Sequence, residues 1–246
     1  MALIFGLAIG SFLNVVIYRL PRGESLVWPR SACPGCGHVL GVLDLFPLLS
    51  FLFLGGKCRY CSRSISWQYP LVEAMTGVSY CLLAIRYGIG LEFLVFAIYA
   101  ALLIAVAGID LHHMVIPDVL SLPGMGLGLL YGLARGRLAE SLLGAAVGGG
   151  TLLAVYYATL FLLKKEGLGL GDAKLLAMIG ALLGWRGALF TILLGSLFGS
   201  IIGLIMIVGG RLKRGEPMPF GPYLAAAGLI LAVWPWESWL GLLFVP

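Results

Sequence analysis

Long runs of apolar residues alternate with short polar gaps along most of this chain. A helix of about 20 apolar residues crosses the hydrocarbon core of a bilayer, and the runs have about that length. We therefore predict eight transmembrane helices, near residues 2–18, 68–86, 91–109, 115–134, 139–163, 173–190, 191–209 and 221–244. The boundary between the sixth and seventh is open, because residues 184–187 can form either a turn or a kink inside one helix. The alternative count is seven helices.

The composition supports this all-α polytopic membrane fold. Hydrophobic residues make up 61% of the sequence and charged residues 11%, whereas a typical soluble domain contains about 25% charged residues. The first apolar run begins at Met1, with no basic region before it and no signal-peptidase site after it. We expect this run to be retained as a helix, and its abrupt start suggests that a few leading residues are missing.

The basic residues indicate the orientation of the helices, since short loops rich in Lys and Arg stay in the cytoplasm. One set of loops contains twelve of them: Arg19, Arg22, Arg30, Lys57, Arg59, Arg63, Lys164, Lys165, Lys174, Arg211, Lys213 and Arg214. The other set contains four: Arg86, Arg135, Arg137 and Arg186. This asymmetry predicts an N-terminus outside the cytoplasm. The net charge of +5 is explained by basic loops that face anionic lipid, so no nucleic-acid partner is needed.

Only one gap between the apolar runs is long enough for a domain outside the membrane. Residues 19–66 are rich in Pro, Gly, Cys and Arg, and their apolar stretch at 42–54 contains Asp44 and Pro47, which disfavour a membrane span. We expect three parts: a first transmembrane helix at 1–18, a cytoplasmic loop domain at 19–66 and a transmembrane domain at 67–246.

Glycines recur four residues apart within several predicted helices. They are Gly6 and Gly10; Gly124, Gly128 and Gly132; Gly144 and Gly148; and Gly195, Gly199 and Gly203. Small residues at this spacing let helix backbones approach closely in lipid. We therefore interpret them as packing surfaces.

Two Cys-x-x-Cys sequences lie in the loop domain, at Cys33 and Cys36 and at Cys58 and Cys61, with 21 residues between them. Four thiolates at this spacing complete the tetrahedral coordination of a structural zinc ion and leave no open position for catalysis. The predicted cytoplasmic location disfavours disulfides, and free or redox-active thiols are the alternative. The expected role of zinc is to fold a loop that is too small to build its own core.

Two aspartates stand at the predicted cytoplasmic ends of helices. Asp110 ends the third apolar run, and Asp172 precedes the sixth within a Gly-Leu-Gly-Asp sequence. A pair of carboxylates on one membrane face can share a proton and activate water for peptide hydrolysis, and the glycines would let an extended peptide approach Asp172. A helix N-cap explains Asp172 equally well, and Asp118, after Pro117, is interpreted as such a cap.

The histidines of the loops are interpreted as solvated residues. His38 follows the first Cys-x-x-Cys sequence but is not needed to complete the zinc site. His112 and His113 are close to Asp110, yet adjacent residues point in different directions on a helix.

The order of these motifs resembles the bacterial type IV prepilin peptidase family, which belongs to the membrane aspartic proteases with a Gly-x-Gly-Asp sequence. The similarity covers nearly the whole chain. The matching segments are residues 10–21, the cysteine tetrad, residues 47–50, residues 70–73, the Asp110 segment, residues 169–174 and residues 219–222.

This resemblance implies a bifunctional enzyme of the bacterial inner membrane. Family members cleave the short basic leader of type IV prepilins and of type II secretion pseudopilins on the cytoplasmic side, and many then methylate the new N-terminus with S-adenosylmethionine. The family's catalytic aspartates correspond to Asp110 and Asp172. No glycine-rich nucleotide fold locates the methyl donor, and Asn14, Arg19 and Glu73 are candidates that can equally well pair within the bundle.

Three other functions stay open at this point. A presenilin-like intramembrane protease shares the Gly-x-Gly-Asp sequence but generally has a Tyr where this chain has Ile109. An ion-coupled transporter would relay protons through the two carboxylates, but it should show polar residues at mid-membrane and broken helices in matching halves, which are not evident. In a noncatalytic alternative, the zinc loop docks an assembly ATPase and the helices serve as its anchor.

Overall fold

The computed structural model describes residues 1–164, 169–213 and 215–235. These residues contain eight α-helices: α1 (Ala2–Arg19), α2 (Leu49–Phe53), α3 (Gln68–Tyr87), α4 (Leu91–His113), α5 (Asp118–Ala134), α6 (Leu138–Leu163), α7 (Leu170–Val208) and α8 (Gly221–Val233). A short 3-10 turn, Leu20–Arg22, follows α1. The predicted all-α fold is confirmed for this part of the chain.

Four of the described helices are long and apolar enough to cross a membrane. They are α1 with the turn that follows it, α4, α6 and α7. The apolar helices α5 and α8 are shorter, with 17 and 13 residues. Helix length and composition therefore give four candidate crossings where the apolar runs predict eight. The last predicted span, 221–244, continues past α8 into residues 236–246, which lie outside the described residues.

The boundary that we predict between residues 190 and 191 is wrong. α7 is one element of 39 residues, and its backbone breaks at Gly184, where φ is 75° and ψ is 175°. This conformation is essentially restricted to glycine, whereas Gly187 has helical backbone angles and continues the helix. The break therefore falls at the start of the 184–187 sequence, at the one residue there whose backbone leaves the helical region.

The chain divides into two compact units, Met1–Gly108 and Ile109–Pro246, which are described separately. In the first unit, α1 packs against α3 through glycines. A Cβ atom added to Gly6 would lie 2.8 Å from Gly77 Cα, and one added to Gly10 would lie 2.7 Å from Glu73 Cα. The predicted Gly6 and Gly10 surface therefore forms a helix contact that excludes any side chain.

A buried carboxylate in the first unit holds an unusual turn in the loop that contains the cysteines. Leu48 has φ 59° and ψ −46°, and the N–H of Leu49 donates to the carbonyl of Pro47 at 2.6 Å, which are the features of a strained γ-turn. The N–H of Leu48 donates to Glu73 Oε2 at 2.8 Å. Glu73 is only 7% exposed. Its hydrogen bond to Leu48 thus anchors this loop to α3 from a buried position.

In the second unit, α6 and α7 contact each other through glycines. A Cβ atom on Gly144 would lie 2.1 Å from the carbonyl oxygen of Gly180, and one on Gly180 would lie 2.1 Å from that of Gly144. One step along the same surface, a Cβ on Gly148 would lie 2.5 Å from the carbonyl oxygen of Leu176. The predicted Gly144 and Gly148 surface is thus where the two backbones touch.

A second glycine surface on α7 receives α8. Gly195, Gly199 and Gly203 are buried, and Cβ atoms added to Gly195 and Gly199 would lie 3.1 Å from Leu224 and 3.3 Å from Tyr223. Large apolar side chains on the same half of α7 are exposed instead: Leu193, Leu197, Ile201, Leu204 and Ile205. Small residues inside and large apolar residues outside are the pattern expected where lipid surrounds a helix.

The contact between α6 and α7 yields a matched pair of variants on one helix. Gly144→Ala should lower the free energy of unfolding by about 1–3 kcal/mol, because the new methyl group collides with backbone that cannot move aside. Gly150→Ala is the control, since no atom of the described residues outside its own stretch of α6 lies within 4 Å of its added Cβ and Ala favours a helix over Gly. Thermal unfolding in detergent compares the two. Equal stabilities would contradict this packing.

Candidate active site and metal centre

Asp110 lies in the last turn of α4, where the apolar helix ends. The N–H of Met114 donates to the carbonyl of Asp110 at 2.9 Å, and Met114, at φ 52°, turns the chain out of the helix. Pro117 then adopts an extended conformation, and Asp118 begins α5. The carboxylate of Asp110 is 4% exposed, so it is buried although it stands at a helix end.

Asp172 lies in the first turn of α7. Its Oδ2 accepts the N–H of Gly169 at 3.0 Å, and its own N–H donates to the carbonyl of Gly169 at 3.1 Å. A carboxylate that reaches back to the residue before the helix is the acidic half of a capping box. Asp172 is 7% exposed. A cap and a buried acid are therefore combined in one residue, where the sequence had offered these interpretations as alternatives.

Contacts between neighbouring residues bring the segments that carry the two aspartates together. A Cβ atom on Gly171 would lie 2.9 Å from Ile116 Cβ, so only glycine permits this approach. Lys174 Nζ lies 2.6 Å and 2.9 Å from the two carboxylate oxygens of Asp118. As a result, the end of α4 that carries Asp110 and the start of α7 that carries Asp172 are neighbours in the second unit. Gly171 packs against the chain's own Ile116, which differs from the open approach that we predict for a peptide.

Sequence reasoning missed a backbone group that contacts Asp110. The N–H of Gly221, the first residue of α8, donates to Asp110 Oδ2 at 3.0 Å. The sequence signal was present, because residues 217–222 contain three prolines that favour a helix start. Nothing in the sequence connects that helix start to a residue 111 positions earlier.

The histidines beside Asp110 do not join a metal-binding group in the described residues. The ring centroids of His112 and His113 lie 6.5 Å apart, and both side chains are exposed. Within this part of the chain, the one cluster of three or more metal-ligating side chains is the cysteine tetrad.

The four cysteines sit on two turns of the same design. Cys33 N–H donates to the carbonyl of residue 38, and Gly37 N–H donates to the carbonyl of Cys33. The same bonds join Cys58 to residue 63 and Ser62 to Cys58, each 25 positions further along. An antiparallel bridge closes each turn, at residues 32 and 39 and at residues 57 and 64. The backbone therefore repeats where the sequence shows no repeat beyond the cysteines.

The thiols have the spacing of a tetrahedral metal site. All four Sγ atoms lie within 4.8 Å of one another, and those of Cys33 and Cys61 are 3.8 Å apart. A zinc ion with Zn–S bonds of 2.3 Å requires an S···S edge of about 3.8 Å. Together with the chemistry of the donors, this geometry allows the tetrad to hold a metal ion such as zinc.

The local electrostatics also favour a cation among the thiols. The N–H groups of Gly35 and Cys36 lower the pKa of the Cys33 thiol to about 6. The N–H of Arg63 acts in the same direction on Cys61, but desolvation and hydrogen bonds with the other thiols outweigh it and raise the pKa of Cys61 to about 11. The Cys61 thiol thus stays protonated by itself, whereas a bound metal ion would favour its thiolate.

A polar network holds the second cysteine turn in place. Asp44 accepts hydrogen bonds from Gly41 N–H at 3.0 Å, Arg59 Nε at 2.8 Å and Tyr60 Oη at 3.0 Å. The N–H of Gly41, with these two side chains, lowers the pKa of the Asp44 carboxyl. The ring of His38 stacks on Tyr60 with centroids 3.6 Å apart. His38 therefore links the two turns as a packing residue.

A cavity of about 690 Å³ opens beside the second cysteine turn, at the bridge between Lys57 and Ser64. The aromatic rings of Phe51 and Trp67 meet edge to face in its wall, with centroids 4.9 Å apart. The full lining is Phe51, Leu52, Gly55, Gly56, Lys57, Ser64, Ile65, Ser66 and Trp67. It is an amphipathic cleft with aromatic, hydroxyl and cationic groups.

The sequence suggests three polar residues for a methyl-donor site: Asn14, Arg19 and Glu73. All three form hydrogen bonds within the first unit. Asn14 Nδ2 donates to the carbonyls of Tyr69 and Gly10 at 3.1 Å and 3.3 Å, and Arg19 donates to two loop carbonyls, those of residues 25 and 29. Glu73 anchors Leu48, as described above. Each of the three thus has a structural partner.

Two family models match consecutive parts of this chain. The bacterial peptidase A24 N-terminal domain matches residues 4–87, and the type IV leader peptidase family matches residues 97–204. The chain is 40% identical over 258 residues to the prepilin leader peptidase/N-methyltransferase of Aeromonas salmonicida, with 94% of this chain and 89% of that protein covered. This chain belongs to the type IV leader peptidase family.

Two other relatives have the same name as the Aeromonas salmonicida protein. The proteins from Pseudomonas aeruginosa and Myxococcus xanthus, each called prepilin leader peptidase/N-methyltransferase, are both 40% identical to it, over 94% and 89% of this chain. No solved structure matches the chain. The predicted family is therefore confirmed, and with it an enzyme of an aspartic protease family.

The two family models cover different candidate sites. The N-terminal model covers the cysteine tetrad and Glu73, and the leader peptidase model covers Asp110 and Asp172. Gly221 lies beyond both models, although its N–H contacts Asp110.

Proposed function

We propose that this enzyme cleaves the basic leader from type IV prepilins and pseudopilins and then methylates the new N-terminus. Asp110 and Asp172 form the peptidase dyad in this proposal. The observation that carries it is the presence of two buried carboxylates at the ends of two apolar helices, in segments that the contact of Gly171 with Ile116 brings together. The relatives' name, prepilin leader peptidase/N-methyltransferase, supplies the substrate and the second reaction.

The arrangement of the carboxylate oxygens supports water activation. Each carboxylate binds one backbone N–H through Oδ2, and Oδ1 of each accepts no hydrogen bond from the described residues. In the proposed dyad, the two carboxylates hold one proton between them. The ionised partner removes a proton from a water molecule, whose oxygen attacks the scissile carbonyl carbon. The protonated partner donates to the carbonyl oxygen, and the C–N bond breaks as the amine takes up a proton.

The basic loops support a cytoplasmic active site in the inner membrane. In the proposed topology, α1, α3, α4, α5, α6, the two parts of α7 on either side of Gly184, and α8 each cross the bilayer. α7 contributes two crossings in this topology, because its backbone breaks at Gly184. With the N-terminus outside, Asp110 and Asp172 both reach the cytoplasmic surface. The basic leader then stays in the cytoplasm while the apolar stem of the substrate lies in the membrane.

The cysteine tetrad is proposed as a structural zinc site. Cys33, Cys36, Cys58 and Cys61 supply all four ligands, so the ion has no open position for substrate. The role is to fold the loop, since the described part of this segment contains little regular structure besides the five-residue α2. Zinc would thereby also order the cavity that the second cysteine turn borders.

We propose that S-adenosylmethionine binds in the cavity beside that turn. A volume of about 690 Å³ is within the usual range for small-molecule sites, about 300–1,000 Å³. Phe51 and Trp67 offer aromatic surface to the adenine ring, Ser66 offers a hydroxyl to the ribose, and Lys57 offers an ammonium to the carboxylate. When bound, the cofactor supplies an electrophilic methyl group to the amine of the cleaved substrate. The protein residues orient the donor.

The peptidase proposal predicts that each aspartate is needed for cleavage. Asp110→Asn and Asp172→Asn should each slow cleavage of a prepilin in vesicles by about 10³-fold, because each variant loses the proton exchange of the dyad. Glu140→Gln is the control, since Glu140 forms an exposed ion pair with Arg137. Gel shifts of the substrate report the rate. Near-normal cleavage by either aspartate variant would remove that residue from the dyad.

The zinc proposal predicts one zinc ion per chain in the purified protein. Cys36→Ser should abolish stoichiometric zinc and make residues 30–66 more sensitive to protease, because the loop loses the ion that folds it. Cys81→Ser should keep the ion, since Cys81 lies in α3 outside the tetrad. Elemental analysis and limited proteolysis measure both effects. Full zinc content in Cys36→Ser would contradict the assignment.

The methyl-donor proposal predicts a separable loss of methylation. Trp67→Ala should raise the KM for S-adenosylmethionine about five- to tenfold, through loss of aromatic contact, while prepilin cleavage stays unchanged. Trp28→Ala is the matched control, because Trp28 is also an exposed loop tryptophan, 70% against 74% for Trp67, but lies outside the cavity lining. Methyl transfer to a pilin that has already been cleaved gives the KM. An unchanged KM would place the donor elsewhere.

A further inference from the structure

The N-terminal end of α8 contacts a carboxylate of the proposed dyad. Gly221 N–H donates to Asp110 Oδ2 at 3.0 Å, and this bond is buried. It joins residues 111 positions apart, whereas the corresponding bond of Asp172 joins residues three apart at the start of its own helix. Only the position of Asp110 therefore depends on how a distant helix packs.

The donor comes from a part of the helix that has amides available. The first N–H groups of an α-helix have no partner within the helix, and Tyr223 and Leu224 already donate to the carbonyl of Phe220, where α8 begins. The aligned peptide dipoles also favour an anion at this end. The Gly221 N–H can thus bind Asp110 without breaking a helical hydrogen bond.

The contact leaves no room for a side chain at residue 221. A Cβ atom added there would lie 2.6 Å from Asp110 Oδ2 and 3.1 Å from Asp110 Cγ. Real Cβ atoms do not approach other atoms to 2.6 Å, so the carboxylate would have to move. The close approach of the Asp110 carboxylate therefore explains why residue 221 is a glycine.

The same surface of α7 that packs α8 fixes the position of this N–H. Gly195 and Gly199 admit Leu224 and Tyr223, and Gly203 lies against Met218, with a 3.3 Å distance from its added Cβ to Met218 Cε. The predicted glycine spacing on α7 therefore has a purpose beyond general helix packing. It places the first residue of α8 against Asp110.

We propose that Gly221 is a positioning residue of the peptidase, whose N–H holds Asp110 Oδ2 and leaves Oδ1 for the shared proton and the attacking water. This inference rests on the proposed function, because it requires Asp110 to act in the dyad. It adds α8 to the site as a third structural element, beside α4 and α7. A substrate that binds without displacing α8 finds the carboxylate already oriented.

The test removes the N–H without adding an atom. Gly221 is replaced by glycolic acid during translation, which converts the peptide N–H into an ester oxygen. The kcat for prepilin cleavage should fall about ten- to a hundredfold, the usual effect of losing one hydrogen bond to a charged group, while KM stays within twofold. The same exchange at Val119, with its valine hydroxy acid, is the control, since residue 119 also lies in the first turn of a helix.

A second variant tests the requirement for glycine. Gly221→Ala should lower kcat further, because its methyl group also displaces the carboxylate, whereas Gly126→Ala has open space around the added Cβ and should cleave normally. Methylation of a pilin that has already been cleaved should stay normal in all four proteins, and a cooperative thermal unfolding transition in detergent shows that the second unit of each is folded. If Gly221→Ala fails to fold, the ester variant decides alone.

The outcomes separate this inference from the proposed function. Full kcat in the ester variant, with Asp110→Asn inactive, overturns the positioning role and leaves the dyad intact. Normal cleavage by Asp110→Asn overturns the dyad and the positioning role together. A lowered kcat at unchanged KM in the ester variant, with normal rates in both controls, supports the inference.

Discussion

A buried carboxylate must find hydrogen-bond donors, and an apolar helical protein offers few of them. Most backbone N–H groups inside a helix are already bonded, so the free ones are at helix starts. Asp172 uses the N–H of Gly169 at the start of its own helix, and Asp110 uses that of Gly221 at the start of α8. Both carboxylates are thereby held through one oxygen, and their positions follow from where α7 and α8 begin.

Glycine packing places those helix starts. α6 and α7 touch backbone to backbone at Gly144 and Gly180, and the surface of Gly195, Gly199 and Gly203 receives α8. Gly171 lets Ile116 approach the start of α7. Because lipid gives little hydrophobic drive for helices to associate, such close contacts carry much of the assembly. The glycines therefore determine the geometry of a site to which they contribute no side chain.

Patterns that are local in the sequence were predictable from it. Apolar runs located the helices, the Cys-x-x-Cys spacing indicated the tetrad, and the glycine spacing indicated packing surfaces. Three features could not be predicted, because they depend on contacts between distant residues or on one residue's backbone. They are the bond from Gly221 to Asp110, the anchoring of Leu48 by Glu73 and the choice of Gly184 as the breaking residue within the 184–187 sequence. Spacing alone could also not show that Asp172 is at once a cap and a buried acid.

The central claim is that Asp110 and Asp172 act as one catalytic unit. Cleavage rate constants of the two single Asn variants and of the double variant, measured on one prepilin in vesicles, test it most directly. Residues that act as a unit give grossly non-additive losses, so the double variant should cleave no more slowly than the slower single variant. A double-variant loss equal to the product of the two single losses would show that the two carboxylates act independently, and would contradict the dyad.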